Sequence, residues 1–461
     1  MKTADASLEV IVLAAGQGKR MASTRPKVLH QLAGRPLLAH VLDTVTSLGP
    51  DRTHVVVGHG ADQVRSAFAD RAVTWAEQSE RRGTGHAVLQ ALPGVGADST
   101  VLIVYGDVPL IGRDILAAAA EAAAPGRLAL VTAELENPAG LGRIVRRDGG
   151  IVGIVEHRDA TEAQRRIREI NTGILAAPRR LLGPWLERLS PENAQGEYYL
   201  TDAVAMAVAD GVEVIGLAVE DGLEVTGINT RSELADLERQ YQRRLVARLM
   251  DRGVSVADPA RLDIRGRVDT GMDCFLDVNV VLEGDVKLGE GVSIGPGCIV
   301  RDAELGNGVR LEAHTLVDGA SIADGCVLGP FARIRPGTVL GENVRIGNFV
   351  ETKKAVVGSG SKANHLAYLG DATLGSDCNV GAGTVTCNYD GINKHPTTIG
   401  DGVFVGTNST LVAPVTLGDG SFVAAGSTVT VNVPERQLAV GRGRQRNVEG
   451  WTRPDERKHR N

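Results

Sequence analysis

The sequence predicts a two-part chain, an α/β domain with a largely parallel sheet followed by a β-helix of six-residue repeats. Two observations lead there. Ile399, Val405, Leu411, Leu417, Val423 and Val429 recur six residues apart without a slip, and Gly400, Gly406 and Gly418 each follow one of them. A second run reads Leu316, Ile322, Leu328, Ile334, Leu340 and Ile346, and a third reads Leu282, Leu288, Ile294 and Val300. A period of six fits neither a helix nor strand alternation. It fits a solenoid of short strands, with one inward aliphatic residue per flat side and a small residue at each corner. The other observation is that, upstream of about Ile228, apolar runs alternate with helical patterns. That alternation is the mark of a sheet covered on both faces.

Composition agrees. The chain has 461 residues, long for one core, with net charge −6 and 43% apolar residues, so nothing suggests a nucleic-acid surface. Aromatics are 3% and glycines number 57, as narrow coils with small interiors require. The five cysteines, Cys274, Cys298, Cys326, Cys378 and Cys387, all lie in the repeat half without a C-x-x-C pair. They read as small buried hydrophobes of a reduced compartment. No apolar run is long enough to span a bilayer, and Val10 to Ala15 is too short for a signal segment. The expectation is a cytoplasmic protein with neither membrane nor nucleic-acid partners.

In the first half, the strand-like runs are Val10–Leu13, Val55–Val57, Val101–Val104, Leu128–Val131, Ile151–Val155, Ile174–Ala176 and Val214–Val219, and amphipathic stretches include Leu37–Leu48 and Ile115–Ala124. Ligands of such sheets bind at the carboxyl ends of the strands. The first run ends in Leu13-Ala14-Ala15-Gly16-Gln17-Gly18-Lys19-Arg20-Met21, followed by Arg25-Pro26-Lys27. Glycine lets backbone N–H groups approach a phosphate, and Arg20 and Lys27 would neutralise its charge. This is neither a Walker loop nor a dinucleotide G-x-G-x-x-G. A glycine-rich turn with basic neighbours is as often structural.

The run through Val104-Tyr105-Gly106 places Asp107 just beyond a strand end. Alone it reads equally as a turn aspartate; beside a phosphate loop it reads as a hard oxygen ligand for Mg²⁺. Gln78 and Gly83-Thr84 suit a base edge, and Gly142-Arg143, Glu156 and Asn171-Thr172-Gly173 suit sugar hydroxyls. Each is weak in isolation.

At Asn229 the pattern changes. Thr230-Arg231-Ser232-Glu233 is a capping box. Leu234, Leu237, Tyr241, Leu245 and Leu249 then keep one helix face apolar, and Gly253 is a plausible stop. The expected division is residues 1–229, a linker helix over 230–251, and a repeat domain over 252–461 whose coil begins near Leu262. The beat fails between Ile346 and Leu374, and again between Val380 and Ile399, and solenoid insertions project as loops that carry function. The first break holds Glu351, Lys353, Lys354, His365 and Tyr368; the second holds Cys387-Asn388-Tyr389-Asp390. Past Gly441 the tail carries Arg442, Arg444, Arg446, Arg453, Arg457, Lys458 and Arg460 against Glu449, Asp455 and Glu456, and reads as solvated beyond Trp451.

The string L-A-A-G-x-G-x-R-M…P-K resembles the nucleotide loop of sugar-1-phosphate nucleotidyltransferases. Lys-Ala-Asn-His-Leu-Ala-Tyr-Leu-Gly (362–370) and Gly-Ala-Gly-Thr-Val-Thr-Cys-Asn-Tyr-Asp-Gly (381–391) extend the likeness. Over almost its whole length the chain resembles the bacterial bifunctional N-acetylglucosamine-1-phosphate uridyltransferase/glucosamine-1-phosphate acetyltransferases. The resemblance implies a Rossmann-like nucleotidyltransferase domain and a left-handed parallel β-helix assembling as a homotrimer. It implies acetylation of glucosamine-1-phosphate from acetyl-CoA, then UMP transfer from UTP with release of pyrophosphate.

By matching motif, Leu13, Ala14, Ala15, Gly16, Arg20, Lys27, Gln78, Gly83, Thr84, Tyr105, Gly106 and Asp107 would serve UTP and metal. Gly142, Glu156, Asn171 and Asn229 would hold the sugar phosphate, with Asn229 also on Mg²⁺. In the acetyl site, Arg335, Lys353, Tyr368 and Asn379 would bind the sugar phosphate. His365 would be the base, oriented by Glu351, and Asn388 would face the developing oxyanion. Ala382, Asn388, Tyr389, Thr407, Ala425 and Arg442 would line acetyl-CoA and the sugar. Four positions depart from the family pattern: Lys19, Arg81 and Arg82 before Gly83, and Thr407 in place of serine. Two other classes compete, a nucleotidyltransferase whose β-helix only assembles or regulates it, and a non-enzymatic scaffold. The presence of His365 and Asn388 weighs against the first, and Asp107 and Asn229 against the second.

Overall fold

The computed structural model describes residues 7–457. The contacts divide into two units, Met1–Tyr241 and Gln242–Asn461.

The first unit is built on a mixed nine-stranded sheet. Its strands are β1 (Leu8–Ala14), β2 (Arg52–Val57), β3 (Thr74–Glu77), β4 (Thr100–Tyr105), β5 (Leu128–Glu134), β6 (Arg143–Arg147), β7 (Gly150–Val155), β8 (Glu169–Pro178) and β9 (Val214–Val219). The order is β9-β5-β8-β4-β1-β2-β3, with β6 pairing β8 and β7. Pairings from β4 to β3 are parallel, as is β9 with β5. The run at Ile174–Ala176 lies in β8, which is antiparallel to both β4 and β5. The sheet is therefore largely parallel with one reversed strand inserted. An apolar run carries no sign of its direction. The short β3 and β6, which pairs with the predicted run at Ile151–Val155, add to the predicted set; β3 is half-buried to exposed and β6 ends in two exposed arginines, so neither shows a long apolar run.

Alternation along β1 feeds both faces. Val10, Val12 and Ala14 pack with α1 (Leu37–Ser47) and α3 (Arg113–Ala123). Ile11, Leu13 and Ala15 pack with α2 (Thr84–Ala91) and α4 (Asp202–Ala209) on the other face. The buried sheet interior leaves its carboxyl edge for the site.

The capping box forms. Glu233 N–H donates to Thr230 Oγ1 at 3.1 Å, and Glu233 Oε2 accepts from the N–H groups of Asn229 and Thr230. It starts α5 (Arg231–Met250). Leu237 is buried with Met21, Leu32, Leu37 and Ile228 in the first unit. Val246 and Leu249 belong to the core of the second unit.

There, eleven short strands form one flat wall and seventeen form the other sheet; every pairing is parallel. Leu276, Ile294, Leu311, Leu328, Ile346, Ala363, Val380, Val405 and Val423 stand in successive register on one wall, all buried. The coil starts at Ser255–Val256, ahead of the expected Leu262. The Gln242 amide is buried, donating to Ile264 O at 2.7 Å and accepting from Ile264 N–H at 2.8 Å. At corners the backbone of the next coil leaves no room: a Cβ on Gly406 would stand 2.5 Å from Ala425 N.

Two readings of the repeat change. Leu316 points outward and Val317 takes the inward place, because the sides are not all six residues long. The first apparent break is no projecting loop. Arg345–Asn348, Glu351–Lys353, Val356–Val357, Lys362–His365, Tyr368–Gly370 and Ala372–Leu374 pair in unbroken coils. Its inward places are taken by the buried Thr352 and Ala363, which hid the beat. Thr352 Oγ1 is satisfied by Thr338 Oγ1 at 3.2 Å inside the coil. The second break is a true insertion, with Tyr389 and Ile392 exposed. Four of the five cysteines are buried, Cys387 half-buried, and none is bonded to another. The tail from Gly441 to Asp455 is almost wholly exposed, and Lys458 and Arg460 lie outside the described residues.

Candidate active sites

The first site opens where β1 and β4 end side by side in register, Leu13 opposite Tyr105. A cleft of about 400 Å³ is lined by the predicted Leu13, Ala14, Ala15, Gly16, Lys27, Gln78, Gly83, Thr84, Tyr105, Asp107 and Asn229, together with Val28, Arg81, Ala87 and Glu197. Gly106 N–H donates to Leu13 O at 2.9 Å, and Ile228 N–H donates to Asp107 O at 3.0 Å. The second bond delivers Asn229 to the end of β4. Gly18 sits at φ +63, and a Cβ there would stand 2.7 Å from Lys27 Cβ. The bare backbone lets Lys27 cross the loop.

The Lys27 ammonium is ion-paired with Asp107 Oδ2 and donates to Asn229 Oδ1 at 3.2 Å. Two oxygen donors from distant segments thus face one cationic position. Among the described residues no cluster of three or more His, Cys, Asp or Glu side chains exists to hold a metal by itself. The two oxygen donors fit a hard cation, which would need further oxygen ligands from substrate or solvent.

Gln78 is buried, its Nε2 donating to Gly83 O at 3.0 Å. Gly83, at φ +110, has no room for a Cβ beside Tyr198. Thr84 Oγ1 accepts from Leu200 N–H at 3.1 Å. Burial pushes the Tyr105 phenol up, with Glu156 and Asp107 adding to the shift and the Thr84 hydroxyl opposing it. Gly173, at φ +85, lies on the Tyr105 ring, where a Cβ would be 2.5 Å from Cε2.

Gly142, Glu156 and Asn171 gather around β6, β7 and β8. Asn171 N–H donates to Gly142 O at 2.9 Å, and Thr201 Oγ1 donates to Glu156 Oε1 at 3.2 Å. Burial holds the Glu156 carboxyl above the ordinary glutamate value; Asp202 and Asp159 reinforce this and the Thr201 hydroxyl opposes it. Arg20 is exposed on the short turn Lys19–Met21 and is not part of the cleft lining. Arg81 and Glu197 were not among the predicted lining residues; Arg81 stood out in the sequence only as a departure.

In the second unit, Arg335, Lys353 and Tyr368 lie on one wall, where Glu351 is paired with Tyr368 and Lys353 with Gly370 in the register. Glu351 Oε1 accepts from Arg335 Nη1 at 2.6 Å. Glu351 is therefore bound to the arginine, and the imidazole of His365 is held by Asn348, Nδ1 to Oδ1 at 2.7 Å. An amide oxygen only accepts, so Nδ1 carries a proton, and in the neutral imidazole the lone pair is then on Nε2. His365 ends the strand Lys362–His365. Asn348 stands one coil, seventeen residues, before it, and that spacing was the signal in the sequence.

Lys394, on the insertion, has its ammonium held below the ordinary lysine value, chiefly by hydrogen bonding and charge from Lys353, while Asp371 and Tyr368 oppose the shift. Asn388 is buried; its Nδ2 donates to Asp371 and its O accepts from His395 N–H at 2.8 Å. Asn379 pairs with Lys362 on the wall carrying His365. Ala382, Thr407, Ala425 and Arg442 climb one corner. Asn408 N–H donates to Ala382 O, Gly426 N–H to Thr407 O, and Arg442 Nη1 to Ala425 O at 2.7 Å.

Both units have known relatives. The model of the MobA-like NTP transferase domain matches residues 10–197. That of the GMPPB C-terminal domain matches 264–362, and the hexapeptide repeat of succinyl-transferase matches 396–431. The chain is 54% identical to the "Bifunctional protein GlmU" of Marinobacter nauticus over 97% of its own length and 99% of that protein's. It is 54% identical to the one from Alkalilimnicola ehrlichii, covering 98% of each chain. It is 52% identical to one from Acinetobacter baumannii over 98% of this chain and all of that one. A nucleotidyltransferase unit and a hexapeptide-repeat unit, matched end to end by these relatives, make this chain a member of the bifunctional GlmU family, a transferase with two sites.

Proposed function

We propose that the second unit acetylates glucosamine-1-phosphate from acetyl-CoA. The first unit then transfers UMP from UTP to the resulting N-acetylglucosamine-1-phosphate and releases pyrophosphate. The observation that carries the reading is the convergence of Lys27, Asp107 and Asn229 at the mouth of one cleft. A sugar-phosphate oxygen attacks the α-phosphorus, the α–β bridging bond breaks, and pyrophosphate leaves. Bringing two anions together makes positioning and charge neutralisation the main task. Asp107 and Asn229 would hold Mg²⁺, which would supply positive charge to neutralise the phosphates. Lys27 then turns its charge to the phosphates. Gly142, Glu156 and Asn171 suit the sugar.

In the other reaction the amine nitrogen attacks the thioester carbonyl, Nε2 of His365 takes its proton, and the CoA thiolate leaves. Arg335, Lys353 and Lys394 suit the phosphate. Ala382, Tyr389, Thr407, Ala425 and Arg442 suit acetyl-CoA. Asn388 is proposed for the oxyanion, which asks it to release Asp371.

A homotrimer through the β-helix goes with this reading. Phe331, Phe349 and Leu366 lie one coil apart at a corner beside His365, 49%, 57% and 60% exposed, all at positive φ. Bulky residues held left-handed cost about 1 kcal/mol or more each, and such exposed apolar stacks suit a neighbouring copy. No described helix is long and apolar enough to cross a membrane, and we place the enzyme in the cytoplasm. Incubation with glucosamine-1-phosphate, acetyl-CoA, UTP and Mg²⁺ should yield UDP-N-acetylglucosamine; no such product would contradict the assignment.

A further inference from the structure

The cleft of the first unit is lined by two cations, Lys27 and Arg81, and two acids, Asp107 and Glu197, among the described residues. Lys27 is already paired with Asp107. Arg81 is held differently: its Nη1 donates to the neutral Gln17 Oε1 at 2.7 Å, and Gln17 is the middle residue of the Gly16–Gly18 turn. The local chain explains the orientation. Tyr198 N–H donates to Arg82 O at 2.7 Å and Arg82 N–H to Glu80 O at 3.1 Å, which pins the turn before Gly83. The Arg82 guanidinium pairs with Glu80, so the adjacent Arg81 is the one that spans the cleft mouth toward the phosphate loop. Arg20, the arginine within that loop, stays exposed and outside the lining.

A nucleoside triphosphate brings several negative charges into this space. A guanidinium has five donors in a planar fork that matches phosphate oxygens, and Gln17 occupies only one. We propose that Arg81 is a further substrate-binding residue of the uridylyl site, leaving Gln17 to take the terminal phosphates of the nucleotide and the departing pyrophosphate. This rests on the uridylyl-transfer reading above. The Arg81–Gln17 bond links the turn before Gly83 to the phosphate loop, and exchange of a neutral acceptor for an anionic one favours the phosphate.

The test uses the full-length enzyme with Arg81→Gln and Arg81→Lys, in both reaction directions. Arg81→Gln should raise KM for UTP, and for pyrophosphate in the reverse reaction, by about tenfold or more, the worth of one charge-assisted hydrogen bond. KM for N-acetylglucosamine-1-phosphate should stay within about twofold, Arg81→Lys should recover part of the loss, and acetyl transfer should be unchanged. Unchanged KM values for UTP and pyrophosphate would overturn the proposal. So would a rise for UTP alone, which would put Arg81 on the nucleoside, or an equal rise for the sugar phosphate, which would mean a distorted cleft. Absence of uridylyl transfer in the unmutated enzyme would instead refute the parent reading.

Discussion

Lys27, Asp107 and Asn229 come from positions 27, 107 and 229, yet meet at one point. Asp107→Asn removes the anion of that point and weakens its hard-ligand character. Uridylyl transfer should fall by about a hundredfold or more while acetyl transfer stays intact. A variant with normal uridylyl kcat would show that Asp107 is only a turn residue. Glu156 makes a second prediction at this scale. Its carboxyl value is raised in the fold, so folding favours its protonated form. It therefore costs stability once the pH exceeds the unfolded value of about 4.3, and costs nothing well below it. Glu156→Gln should raise Tm at pH 8, with the gain fading as the pH falls toward 4, while KM for the sugar phosphate rises. A Tm gain that grows in acid would reverse the sign of the argument. Motif strings made Asp107, Lys27 and Asn229 legible before any geometry. Arg81 could be read only as an anomaly, since nothing local says which of two adjacent arginines faces the cleft. Asn348 was missed because its partner His365 is a neighbour from coil to coil.

At the scale of elements, side-chain volume and backbone conformation decide what the repeat and the loop tolerate. Gly18 at φ +63 lies under Lys27. Gly18→Ala should displace Lys27 and lower uridylyl kcat by about tenfold or more, with acetyl transfer as the unaffected control. In the coil, Thr338 and Thr352 satisfy one another in a buried interior. Thr352→Val should lower stability by about 1–3 kcal/mol because Thr338 loses its partner, whereas changing both to valine should restore most of it. Additive losses in thermal unfolding would refute that pairing. These same residues explain the misread break. The coil asks for an inward residue of suitable size, not for an aliphatic one, and Thr352 and Ala363 meet that demand without advertising it. Strand direction was equally hidden, and β8 runs against its neighbours with an ordinary apolar sequence.

Over the whole molecule, two reactions need two sites that fail separately. The stacked corner of Phe331, Phe349 and Leu366 predicts a trimer by sedimentation at micromolar concentration, and a monomer there would refute it. Replacing these three with serine should cost the trimer and acetyl transfer together while sparing uridylyl transfer. The central claim, one chain with two successive transfers, is tested most directly by following all sugar phosphates at once. The enzyme is given glucosamine-1-phosphate, acetyl-CoA, UTP and Mg²⁺, and the unmutated chain is compared with Asp107→Asn and His365→Ala. The account predicts UDP-N-acetylglucosamine from the first, accumulated N-acetylglucosamine-1-phosphate from the second, and unreacted glucosamine-1-phosphate from the third. Rescue of the third by added N-acetylglucosamine-1-phosphate completes the prediction. Loss of both steps in either variant, or normal acetylation without His365, would contradict it.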